Sequence, residues 1–152
     1  MIITKEPLRN SEIEKLHPAF RKPAEDLLTA LGVAGLPFKL FEGYRSEERQ
    51  AWLYASGRPN APGGRPGPII TKAAPGLSYH QYGLAGDFVL FINGKWSWDT
   101  SRENAGKWQR LQEIGMEFGL EPLSFELPHL QLAGLKIADL KAGKLPPVPV
   151  IT

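Results

Sequence analysis

The sequence predicts a single domain of mixed helices and strands, on three observations. Its 152 residues suit one domain, which at this size buries roughly 70% of the surface that its unfolded chain exposes. Apolar residues recur at helical spacing in some stretches and at strand spacing in others. Asn93-Gly94, set between Phe88-Val89-Leu90-Phe91-Ile92 and Lys95-Trp96-Ser97-Trp98, is the strongest short hairpin signal and implies an antiparallel pair.

Composition narrows the chemistry. The chain has no cysteine, which excludes disulfides, thiolate zinc sites and cysteine nucleophiles, so any metal is held by nitrogen and oxygen. Its 16 Gly and 14 Pro, with 42% hydrophobic residues, predict many turns on an ordered domain rather than disorder. A net charge of +2 without a dense Lys/Arg run is no nucleic-acid signature. The start lacks the n- and h-regions of a secretory signal, and no stretch of about 18 apolar residues can span a membrane. The expectation is synthesis in the cytosol, a monomer, and no insertion into a membrane.

In chain order, Ser11-Glu12-Ile13-Glu14 has capping-box spacing, and Pro18 suits the first turn of a helix that carries Phe20, Ala24, Leu27, Leu28 and Leu31 inward to a stop at Gly32. Pro23 kinks that helix or marks its true start. His17 has no partner at ligand spacing and reads as structural. Phe38-Lys39-Leu40-Phe41-Glu42 alternates as a strand, and Ser46 then caps a helix with Glu47 and Glu48 in its first turn and Gly57 as its stop. Arg45 stands at the junction, from which a guanidinium reaches a cleft or pairs with a surface carboxylate.

Residues 57–76 are crowded with Gly and Pro and read as a long ordered loop, a lid or binding loop more than a linker, since neither flank is large enough to fold alone. His80 and Asp87 follow, seven residues apart. On one straight strand they would lie over ~20 Å apart at about 3.3 Å per residue and face opposite ways. They meet only if the chain turns between them, and Gly83 and Gly86 offer places for it. Asp87 then opens the strand that leads into the hairpin.

Thr100-Ser101-Arg102-Glu103 is a second capping box. It precedes a core helix through Trp108, Leu111, Gly115 and Phe118 that stops at Gly119. Tryptophans 96, 98 and 108 are assigned to packing rather than to a groove. Glu126-Leu127-Pro128-His129 leads into a strand in which His129 and Gln131 alternate with Leu130 and Leu132. A short helical pattern over 135–142 stops at Gly143, and the Pro-rich tail, 145–152, reads as a strap or frayed end.

His80, Asp87 and His129 form a candidate metal site. Hydrolytic zinc takes three ligands of this kind and leaves a fourth position for water, whose pKa falls to about 7. Such chemistry also needs a carboxylate that is not a ligand, a cation for the developing oxyanion and a groove. Glu126, Arg45 and the 57–76 loop are available for these. On spacing alone a structural reading of each residue remains open.

The pattern S-x-H-x-x-G-x-A-x-D, met by Ser78, His80, Gly83, Ala85 and Asp87, resembles the first zinc motif of the LAS-type metallopeptidases. It is closest in kind to their D-alanyl-D-alanine carboxypeptidases and phage L-alanyl-D-glutamate endopeptidases. Glu126-Leu127-Pro128-His129 is similar to the second motif. Gly43-Tyr44-Arg45-Ser46, with Gln50 and Leu53-Tyr54, resembles the segment that bears the family's arginine. The resemblance covers residues 16–147 and implies an α+β domain whose antiparallel sheet holds the site between helices. It further implies Zn2+ on His80, Asp87 and His129, Glu126 as general base, Arg45 as carbonyl stabiliser, and Ser78, Gln50 and Tyr82 toward the substrate. Two departures touch the cleft: Gly119-Leu120-Glu121-Pro122-Leu123-Ser124 replaces a Gly-Gly-Asp-Trp-like stretch, and the Gly/Pro-rich loop is extra.

The implied function is hydrolysis of an amide in the peptidoglycan stem peptide, of L-alanyl-D-glutamate endopeptidase type. An endolysin of that kind reaches the wall on release at lysis. The alternatives are a D-alanyl-D-alanine carboxypeptidase or dipeptidase, which needs a closed pocket with a cation for a free carboxylate, and a non-catalytic wall-binding module that keeps zinc as structure. Retention of Glu126 argues against the last.

Overall fold

The computed structural model describes residues 2–150. A 3-10 turn at Ile13–Lys15 precedes helix α1, Pro18–Val33, then strand β1, Phe38–Glu42, and helix α2, Glu47–Ala55. After the long loop come a 3-10 turn at Tyr79–Tyr82, strands β2, Ala85–Ile92, and β3, Lys95–Ser97, and helix α3, Arg102–Glu117. Strands β4, Leu120–Leu123, and β5, Glu126–Leu132, and the short helix α4, Ile137–Lys141, complete the chain. The expected α+β architecture is present.

All strand pairs are antiparallel, in the order β1-β2-β5-β4, with β3 on β2 as well. Strand β2 is the axis of the sheet. It meets β1 along one edge, while its other edge is shared by β5 over Ala85 to Asp87 and by β3 over Leu90 to Ile92. Asn93 and Gly94, both at positive φ, make the predicted hairpin turn. Leu27, Leu31, Phe88, Leu90, Trp108, Leu111 and Leu130 lie in one buried core between the sheet and helices α1 and α3. The Trp108 ring meets Phe38 edge-on at 5.1 Å, so this tryptophan packs as expected.

Several boundaries differ from expectation, each for a local reason. Helix α1 is capped by His17, whose Nδ1 accepts from Ala19 N, not by Ser11. It runs through Pro23 and past Gly32, and Gly35 carries the positive φ that ends the turn. At α3 the N-cap is Ser101, with no side-chain cap; its hydroxyl donates to Asp99 Oδ2 instead. The turn between His80 and Asp87 rests on Gly83 alone, at φ +69°, where a Cβ would sit 2.6 Å from the His17 backbone nitrogen. Gly86 lies within β2, which therefore starts two residues before Asp87. Strand β4 was not anticipated.

The 57–76 loop is fastened along its length. Ser56 Oγ donates to the Pro68 carbonyl, Arg65 to the Trp52 carbonyl and Arg58 to the Thr71 carbonyl. Gln50 Nε2 reaches both Thr71 Oγ1 and the Ala73 carbonyl. Among the described residues no helix is long and apolar enough to cross a membrane. The tail beyond Lys144 has no regular structure up to Val150, and residues 151 and 152 of the expected strap lie outside the described residues.

Candidate metal centre

Three elements deliver the three expected ligands. Ser78 caps the 3-10 turn that carries His80, Asp87 is the third residue of β2, and His129 stands directly across from Asp87 on β5. His80 Nε2, His129 Nδ1 and a carboxylate oxygen of Asp87 lie within 4.8 Å of one another. His80 Nε2 is 3.3 Å and His129 Nδ1 3.5 Å from Asp87 Oδ1. Ligands at about 2.0–2.1 Å on a tetrahedral ion stand about 3.4 Å from each other, so both spacings match tetrahedral edges.

The outer contacts fix which nitrogen faces inward. His80 Nδ1 lies 2.7 Å from the Gly43 carbonyl, which can only accept, so Nδ1 carries the proton and Nε2 presents its lone pair. That Nε2 is buried without a hydrogen-bond partner. His129 Nε2 lies 2.8 Å from Gln131 Oε1, and the Gln131 amide nitrogen donates to Glu121 Oε1, which orients the amide. Nδ1 of His129 is thereby aimed at Asp87. With the outer nitrogens so engaged, two imidazole nitrogens and a carboxylate oxygen converge, an arrangement that a divalent cation satisfies. The donor set of two imidazoles and one carboxylate fits zinc.

Around this set the electrostatics are steep. Burial, and then the Arg45 charge, push His80 below the usual histidine range. Burial alone would raise Asp87, but the flanking histidines and Arg45 outweigh it and hold the carboxyl well below its ordinary value. Glu126 Oε2 lies 3.6 Å from His129 Nδ1 and belongs to the same cleft. Burial is the chief cause that raises the Glu126 carboxyl, as befits a base that must take up a proton.

Arg45 is 7% exposed and lines the cleft. Its Nη2 donates to Glu42 Oε1 at 2.8 Å and to Asp87 Oδ2 at 3.1 Å, and Nη1 donates to Gln50 Oε1 at 3.0 Å. Glu42 also accepts from Arg49 Nε. The guanidinium thus holds the oxygen of Asp87 that faces away from the histidines. Ser78 lines the cleft as well, with its hydroxyl accepting from His80 N. Gln50 and Tyr82 do not: Gln50 is fully buried, and the Tyr82 hydroxyl donates to the Gly76 carbonyl. Both secure the loop, Gln50 through its amide nitrogen and Tyr82 through its hydroxyl, while Gln50 Oε1 accepts from Arg45 and Gln81.

Sequence reasoning missed Glu42, Gln131 and one wall of the cleft. Glu42 falls on the inward side of alternating β1, and an acid on an apolar face signals a buried partner. Gln131 shares the face of His129 two residues on, which is where an outer hydrogen bond to a ligand is found. Trp98, half exposed, lines the cleft rather than packing inside the domain. The cleft measures about 570 Å³, walled by Phe41 and Trp98 and, from the loop and the β4–β5 turn, by Ile70, Leu77 and Phe125.

Residues 13–138 match the VanY family model, described as D-alanyl-D-alanine carboxypeptidase. The chain belongs to the VanY family. The Peptidoglycan L-alanyl-D-glutamate endopeptidase CwlK of Bacillus subtilis (strain 168) is 35% identical over 77% of this chain and 73% of its own. Among solved VanY-like folds, the L-Ala D-Glu endopeptidase ChiX of Serratia marcescens superposes with a TM-score of 0.55 at 20% identity, over 88% of this chain and 94% of its own. The vancomycin-resistance D,D-pentapeptidase VanY, crystallised with Zn(II), has a TM-score of 0.58 at 18% identity, over 93% and 85%. Membership of the VanY family makes the chain a hydrolytic enzyme of the LAS type.

Proposed function

We propose that the protein is a zinc-dependent peptidoglycan peptidase that cleaves the L-alanyl-D-glutamate amide of the stem peptide. The convergence of His80, Asp87 and His129 with a non-ligand carboxylate, Glu126, at one cleft carries the peptidase reading. The choice of bond is supported by 35% identity to the Bacillus L-alanyl-D-glutamate endopeptidase.

His80, Asp87 and His129 would hold a zinc ion, which would supply Lewis acidity to a water and to the scissile carbonyl. Glu126 takes the proton of the attacking water on its raised carboxyl and passes it to the leaving amine. Arg45 faces the same cleft with its charge intact and offsets the negative charge that develops on the carbonyl oxygen. It also keeps Asp87 turned toward the histidines through Oδ2. Gly43 and Gln131 hold the two imidazoles in the tautomers that the ligands need. The protein acts at the cell wall, as a monomeric single domain.

Removal of a terminal D-alanine is the second reading, favoured by the description of the matching family. Purified peptidoglycan digested by the zinc-loaded protein, with Glu126→Ala as control, separates the two by mass spectrometry of the products. New amino-terminal glutamate is expected. Free D-alanine alone would assign the carboxypeptidase, and no new termini would remove both.

A further inference from the structure

We propose that Lys72 is the cation that receives a substrate carboxylate next to the scissile amide, so that it sets which stem peptides the cleft accepts. Three basic side chains line the cleft: Arg45, Arg49 and Lys72. Two of them are engaged elsewhere: Arg45 pairs with Glu42 and Asp87 and, in the proposed mechanism, serves the scissile carbonyl oxygen, and Arg49 pairs with Glu42 and Glu6. Among the described residues no carboxylate lies within ion-pair distance of Lys72, which rests with Nζ 4.4 Å over the ring of Phe125. A substrate anion in the cleft therefore has one uncommitted cation to meet.

Lys72 is exposed, but its backbone is not free to wander. Thr71 is buried, its hydroxyl accepts from Gln50 Nε2 and from Ala73 N, and its carbonyl accepts from Arg58. On the other side the Ala73 carbonyl accepts from Gln50 Nε2 at 2.8 Å. Held on both flanks, the side chain crosses from the loop to Phe125 in the turn between β4 and β5, one residue before Glu126. Phe125 directly precedes Glu126, and Lys72, Phe125 and Glu126 line the same cleft, so the amine stands toward its reacting end. The contact with Phe125 is easily exchanged, since an exposed cation–π pair contributes only about 0.5–1 kcal/mol and a charge-assisted hydrogen bond more.

Given a stem-peptide substrate, as proposed above, two carboxylates qualify: the α-carboxylate of a γ-linked D-glutamyl residue, or the chain terminus. The glutamyl group is the better match, because it stands beside the scissile amide of the L-alanyl-D-glutamate bond. A stem in which this carboxylate is converted to an amide would lose the partner of Lys72.

Binding decides it without turnover. Zinc-loaded Glu126→Gln protein is titrated by calorimetry with four L-alanyl-γ-D-glutamyl tripeptides that carry acid or amide at the glutamyl position and at the terminus. The acid at the glutamyl position is expected to bind about tenfold tighter than the amide, the scale of one partly exposed charge-assisted hydrogen bond. Adding Lys72→Met should bring the ratio near one, and Lys72→Arg should keep most of it. A preference at the terminus alone that Lys72→Met abolishes would assign Lys72 to a terminal carboxylate and overturn its placement beside the scissile amide. No carboxylate preference, a preference that survives Lys72→Met, or no binding of any tripeptide overturns the proposal. If the preference holds while wild-type protein cleaves nothing, the peptidase reading falls and the role of Lys72 stands.

Discussion

Asp87 and His129 are direct cross-strand partners on β2 and β5, and Asp87 Oδ1 lies 3.5 Å from His129 Nδ1. The sheet itself sets two of the three candidate ligands, with an accuracy that a loop would not provide. His80 joins them from the turn that Gly83 makes possible, with its carbonyl accepting from Arg45 N. The candidate metal centre is thus tied to the same backbone that places Arg45.

Gln131 orients His129 through the ring nitrogen turned away from Asp87, so its removal should weaken the metal first. Gln131→Leu is expected to lower zinc affinity by about 10–100-fold, the usual effect of losing an outer hydrogen bond to a histidine ligand. Competition with a chromophoric chelator measures it. Unchanged affinity would mean that Gln131 does not set the tautomer.

Glu126 should be a burden on the metal-free fold. Its carboxyl is raised chiefly by burial, so the folded chain holds that proton more tightly than the unfolded chain does. The associated stability is present below the unfolded carboxyl value and is lost as pH rises through the raised folded one. At pH 7 the metal-free Glu126→Gln protein should therefore melt at a higher temperature than wild type, with the advantage vanishing in acid. The same variant should bind zinc and cleave nothing.

Much of this was legible in the sequence, because strong local rules and the global fold agree. Asn93-Gly94, the apolar run of β2, the Ser46 cap and the stop at Gly119 each have a single local reading, and the structure realises them. With three histidines and no cysteine the candidate ligands are few, but spacing left His80, Asp87 and His129 open, and it is the resemblance to the LAS-type motifs that implies them as a set. The misses are tertiary. Strand β4 has Pro122 in its interior and exists because β5 lies beside it, which no local propensity reports. Glu42, Gln50 and Tyr82 owe their roles to partners up to dozens of residues away, and spacing says nothing about such contacts.

Arg45 has a geometry that lysine cannot reproduce, since two nitrogens of one planar fork reach Glu42, Asp87 and Gln50. Arg45→Lys should retain zinc at wild-type stoichiometry and lower kcat on the order of 100-fold, as the loss of an oxyanion donor does. Steady-state kinetics on a soluble muropeptide, with metal content read in parallel, tests this. A change in KM alone would assign Arg45 to binding.

Gln50 is the brace of the 57–76 loop. Gln50→Ala removes the bonds to Thr71 and Ala73, leaves the Ala73 carbonyl without that donor, and takes an acceptor from Arg45 and Gln81. Limited proteolysis should then cut within 57–76 faster than in wild type, while the core digests no sooner. Equal cleavage rates would show that the other fastenings suffice.

The most direct test of the metal centre is zinc stoichiometry joined to amide cleavage. Wild type should hold one zinc per chain, lose cleavage when a chelator removes it and recover on one equivalent of zinc, while Asp87→Ala neither retains zinc nor recovers. Cleavage that survives metal removal, or full zinc content in Asp87→Ala, would contradict a catalytic centre built on His80, Asp87 and His129.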